Sequence, residues 1–126
     1  MKCLAIIAHG SRNVAANGEL VHLAAQTQQQ LGDQYNAVKA CYLEISAPSL
    51  NTLCEELIHA GALIIDVYPL FLNSGKHASE DIPELVVTLR EQYPHITFTL
   101  LPYLGQNPKF VDIVSEHIRA NANTSA

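Results

Sequence analysis

Apolar residues fall in four short runs, separated by longer stretches in which they recur every three or four positions. The runs at 3–8, 37–43, 62–68 and 96–101 are rich in Ile, Leu, Val or aromatics and lack strict alternation, as strands covered on both faces should. Between them the spacing predicts four helices. The second is the best marked: Pro48 stands at its first turn, Leu50, Leu53, Cys54, Leu57 and Ile58 form a stripe, and Gly61 ends it. Asn107 and Pro108 open the fourth as N-cap and first-turn proline, and Phe110, Ile113, Val114, His117 and Ile118 carry its period. Ser79, Glu80, Asp81 and Glu84 suit the start of the third, with Ile82, Leu85, Val86 and Leu89 as its buried face. The first helix, 13–31, is interrupted by Gly18 and terminated at Gly32.

Repeated βα units imply a parallel sheet, and right-handed crossovers leave few strand orders, of which 2-1-3-4 is favoured. The expected fold is a three-layer α/β domain of flavodoxin-like type, a four-stranded parallel sheet with helices on both faces. Residues 1–120 read as one domain and 121–126 as a frayed tail. A chain of 126 residues needs neither disulfides nor a structural metal to fold.

Charge and cysteine content narrow the function. A formal net charge of −5 argues against a nucleic-acid partner and against an electrostatic membrane anchor. Cys3, Cys41 and Cys54 are odd in number and form no C-x-x-C pair, so they read as small buried hydrophobes in a protein of the reducing cytoplasm. The apolar run before His9 is too short for a signal h-region or a membrane span.

The order 2-1-3-4 places the topological switch between the first and third strands, where open α/β sheets bind ligands at their carboxyl edge. His9 falls at the end of the first strand, His77 in the loop after the third, and Glu44 at the end of the second. Neighbouring strands lie about 4.8 Å apart, so these side chains can converge. Two imidazoles and a carboxylate form a ligand set for a first-row divalent metal that must be handed on, since a thiolate cage would release it slowly. Gly10, Ser11 and Arg12 open the first helix as an anion site for either a phosphate or a substrate carboxylate, and Lys76 adds a second cation to that rim.

Other readings compete. A lone loop histidine is ordinarily a solvated polar residue, and Glu44 alone would be a solvated carboxylate. His22, His59, His95 and His117 read as structural or surface residues. A phosphoryl-transfer enzyme with His9 as nucleophile would carry arginine directly before that histidine, where this chain has Ala8. A metal or tetrapyrrole carrier needs the same ligands as a catalyst.

Three segments, AHGSR at 8–12, LEISAPSL at 43–50 and PLFLNSGKHASEDIP at 69–83, resemble the small CbiX-type class II chelatases, the sirohydrochlorin cobaltochelatase family. The likeness extends over nearly the whole chain, and the third segment is its most specific part. It implies a chelatase fold and ATP-independent insertion of a divalent metal into sirohydrochlorin, with Co²⁺ foremost and Ni²⁺ or Fe²⁺ as alternatives. His9 and His77 would bind the metal or accept pyrrole protons, and Glu44 stands where related chelatases carry a functional acid. Gly10, Ser11, Arg12 and Lys76 would meet the carboxylated substrate. No cofactor beyond the substrate metal is implied. A homodimer is, because one small domain offers only an open edge to a broad macrocycle.

Overall fold

The computed structural model describes residues 1–122, excepting the side chains of His77 and Ala78. Four parallel strands, β1 (Lys2–Ala8), β2 (Ala37–Tyr42), β3 (Ile64–Pro69) and β4 (Thr97–Leu100), form one sheet in the order β2-β1-β3-β4. The expected topology is the observed one. Strands begin and end within two residues of the apolar runs, because pairing with β1 and β3 sets the limits that hydropathy blurs.

Alternate residues of β1 point to opposite faces. Cys3, Ala5 and Ile7 join Ile65, Val67 and Phe98 under α2 (Leu50–His59) and α3 (Ile82–Gln92), in the larger core. Leu4 and Ile6 meet Leu20 and Ala24 of α1 (Val14–Leu31) on the other face, with Val38 and Tyr42. The apolar stripe of α2 explains its burial: Leu50, Leu53 and Cys54 are at most 3% exposed. Gly18 leaves α1 unbroken, and nothing lies near the Cβ it lacks.

Element ends depart from the sequence reading in three places. Ser49 caps α2 by accepting the Thr52 N–H at 3.2 Å, so Pro48, expected near the first turn, stands directly before the cap. Ser79 does not cap α3 but lies in a π turn, His77–Asp81, where its N–H and hydroxyl both reach the Gly75 carbonyl at 2.9 and 3.0 Å. Asn107 does accept a backbone N–H, from Lys109 at 2.9 Å, although α4 (Phe110–Ala122) begins only after this turn.

The largest departure is α4 itself. The helix forms where its period places it, yet none of its described residues is buried. Among the described residues its main intrachain neighbour is the 3-10 turn Leu104–Gln106 that follows β4, and α4 does not cover the α1 face of β3 and β4. Asn121 and Ala122, expected to fray, belong to the helix, with the Asn121 amide donating to the His117 carbonyl at 2.8 Å. The rest of the expected tail, 123–126, lies outside the described residues.

Candidate active site

The chain leaves β1 at Ala8 and turns sharply through His9 and Gly10. Gly10 has φ +106°, and a Cβ there would overlap the Glu44 carbonyl, so the position demands glycine. This close approach is how the loops after β1 and β2 are joined. The Leu43 N–H donates to the Ala8 carbonyl at 2.8 Å and the Glu44 N–H to the His9 carbonyl at 3.0 Å, extending the strand pairing past the strand ends. The same register brings the two side chains together, with His9 Nε2 2.7 Å from Glu44 Oε1. Both remain about half exposed, at 44% and 53%, and so open to a substrate.

Two residues overlooked in the sequence hold this corner. Ser46 Oγ donates to the Ser11 carbonyl at 2.9 Å and accepts the Ser11 N–H at 3.2 Å. Asn17, one turn into α1, donates its amide to Ser46 Oγ at 2.9 Å and to the Ser11 carbonyl at 2.7 Å, while the Tyr42 hydroxyl donates to the Asn17 carbonyl at 3.0 Å. Ser46 sits inside the LEISAPSL segment, which was a usable signal. Asn17 had none, being one polar residue in a helix.

The network also changes the picture of the anion site. Helix α1 starts at Val14, capped by Asn13, so Gly10, Ser11 and Arg12 precede it. The Ser11 N–H is spent on Ser46, that of Asn13 on Ser11 Oγ at 3.0 Å, and that of Ala15 on Asn13 Oδ1 at 2.9 Å. The rim also offers an anion two cationic side chains: Arg12 is exposed, and so is Lys76, directly before the π turn.

His77 is the first residue of that turn, and its side chain lies outside the described residues. Its backbone stands in the loop after β3, as expected from the switch-point argument. A π turn often marks a functional position. Glu44 borders a cavity of about 390 Å³ that Asp81 and Glu84 also line, so the β2 edge faces the start of α3. Among the described residues, no three His, Cys, Asp or Glu side chains are close enough to hold a metal; His9 and Glu44 are two. His22, His59, His95 and His117 are all exposed, as expected of surface residues. Cys3, Cys41 and Cys54 are buried free thiols, and burial pushes the Cys54 thiol up to about 12, which makes it inert packing.

Fold and site together define a class: a small parallel α/β domain with a histidine–carboxylate pair at the carboxyl edge of its sheet, across the ends of β1 and β2. The sequence model of the CbiX family matches residues 3–121. The chain belongs to the CbiX family. It is 30% identical to the sirohydrochlorin ferrochelatase of Priestia megaterium, over 94% of this chain and 44% of that protein. It is 25% identical to the sirohydrochlorin cobaltochelatase of the same organism, over 94% and 38%. Among solved structures, the sirohydrochlorin chelatase SirB from Bacillus subtilis subspecies spizizenii, in complex with cobalt, superposes with a TM-score of 0.83 at 26% identity, covering 96% of this chain and 51% of that one. The chain therefore spans about half, or less, of the length of these relatives.

Proposed function

We propose that this chain is a sirohydrochlorin chelatase, inserting a divalent metal into the macrocycle without ATP, as one of two copies enclosing the ring, in the cytoplasm. The observation that carries the reading is the His9–Glu44 pair, 2.7 Å apart at the carboxyl edge of a CbiX-family sheet. Insertion replaces two pyrrole N–H bonds by two metal–nitrogen bonds, so M²⁺ enters and two protons leave. The site must therefore present the metal and take up protons.

A neutral imidazole can do either. With Nε2 held by Glu44, His9 is oriented by the carboxylate, which can also receive a proton passed through the ring. His77, in the loop after the neighbouring strand, is the second metal ligand or proton acceptor of this reading. Arg12 and Lys76 draw the anionic periphery of the substrate to the same rim against the chain's net negative charge. A ligand set of imidazole and carboxylate holds Co²⁺, Ni²⁺ and Fe²⁺ alike. Co²⁺ is the preferred assignment, and the two Priestia relatives, one named for iron and one for cobalt, support leaving the other metals in the test.

The test mixes excess sirohydrochlorin with Co²⁺, Ni²⁺ or anaerobic Fe²⁺ and substoichiometric protein, and follows the visible spectrum. Many equivalents of metallated product per protein, fastest with Co²⁺, are expected. Uptake that stops at one equivalent would make the chain a carrier, and a faster rate with Fe²⁺ would reassign the metal.

A further inference from the structure

Ile45 is the backbone anomaly of the candidate site. Its φ is +71°, in the left-handed region that a β-branched residue rarely enters, and the Ser46 N–H reaches back to the Glu44 carbonyl at 2.7 Å, closing a three-residue γ-turn. Such a backbone persists only where its surroundings over-determine it. The Ile45 side chain is 60% exposed, so core packing does not supply that restraint.

The restraint is polar, and it comes from α1. Ser46 Oγ has one proton and two lone pairs, and all are used: it donates to the Ser11 carbonyl and accepts from the Ser11 N–H and the Asn17 amide. The Asn17 amide also donates to the Ser11 carbonyl, filling the second lone pair there. Asn17 is held in turn through its own carbonyl by the hydroxyl of Tyr42, which is 3% exposed at the end of β2. One amide thus ties the loop after β1 and the loop after β2 to the helix and, through Tyr42, to the core.

The turn matters because of the residue that opens it. The Glu44 N–H is bound to the His9 carbonyl, and the Glu44 carbonyl is bound by the Ser46 N–H and fills the space that a Cβ on Gly10 would take. Fixing both peptide groups fixes the Cα–Cβ direction between them, and that direction carries the carboxylate to His9 Nε2. Opening the γ-turn would rotate the Glu44 carbonyl and release this constraint.

We infer that Asn17 is a positioning residue of the active site: acting through Ser46, it holds the strained Ile45 turn that aims Glu44 at His9. The inference rests on the chelatase reading and adds what keeps its histidine–carboxylate pair in register.

Asn17→Ala and Asn17→Asp test it, the second keeping the shape of the side chain while removing both donors. Neither residue breaks a helix, so α1 and the far-ultraviolet circular dichroism should persist. Wild-type NMR spectra should show at Ile45 the strong intraresidue HN–Hα cross-peak of a positive φ. Both variants should lose it, and their Glu44 and Ser46 amides should exchange roughly tenfold faster or more. In metallation of sirohydrochlorin each variant should lower kcat roughly tenfold or more and change KM less than about twofold, because a misplaced reacting group costs rate rather than binding. In a Glu44→Ala background, adding Asn17→Ala should lower kcat by less than about twofold, since the group it positions is gone. Variants that keep the wild-type kcat, a full repeat of the loss without Glu44, or an Ile45 turn that survives in both variants overturns the inference. A wild type without turnover removes the chelatase reading instead, and the spectra then decide whether Asn17 holds the turn.

Discussion

His9 and Glu44 show why a strand-end residue gains chemistry only through its neighbour. Each alone is a half-exposed polar side chain; at 2.7 Å the carboxylate can orient the imidazole. Replacing His9 or His77 by alanine should lower turnover about 100-fold or more. The fold should survive, because both positions lie outside the strands and outside helices α1–α4. Glu44→Gln keeps the shape and removes the charge, so it should lower kcat more than it raises KM. His22→Ala and His59→Ala, at exposed positions on α1 and α2, are the controls. Steady-state rates with circular dichroism check the set, and equal damage from the controls would mean that the site is elsewhere.

At the scale of elements, the α1 face of the sheet is held by a polar contact. Tyr35, between α1 and β2, donates its hydroxyl to Asp66 Oδ2 of β3 at 2.5 Å, and Asp66 is 7% exposed with Lys2 3.9 Å away. Burial, reinforced by the bond to Asp66, pushes the Tyr35 phenol up to about 12. The folded value thus lies above the unfolded one, near 10, so this stabilisation is fully present below pH 10 and is lost as pH rises towards 12. Tyr35→Phe should cost about 1–3 kcal/mol at pH 8, since it leaves a buried carboxylate short of a donor. Urea unfolding should show that deficit shrink at pH 11, and a deficit that grows with pH would refute the linkage.

The whole molecule is a half-covered sheet. One face is closed by α2 and α3, whereas the other has only α1, and α4 stands off with its stripe in solvent. If two copies act together, as proposed, the second binds the folded chain alone, so by mass action it raises the unfolding temperature as protein concentration rises. Differential scanning calorimetry over a hundredfold range of concentration should show a steady increase in that temperature. A flat wild-type profile would mean that the chain folds and unfolds as one copy.

Much of this was legible in the residues themselves. Four apolar runs and the stripes of α2 and α3 located the sheet and its larger core, because burial on a sheet leaves a periodic mark on each element separately. His9 at the first strand's end, Glu44 at the second's and His77 after the third could likewise be placed, since strand order brings strand ends together. Other features depended on partners distant in sequence. The Ser46–Asn17 clamp joins residues 29 apart, the Gly10 turn exists to admit the Glu44 carbonyl, and Ser79 is drawn into a π turn by Gly75. The clearest case is α4, whose period correctly announced a helix with an apolar face. Periodicity records that a face is apolar but carries no information about which surface it meets. Only the tertiary structure decided that the helix does not cover its own sheet.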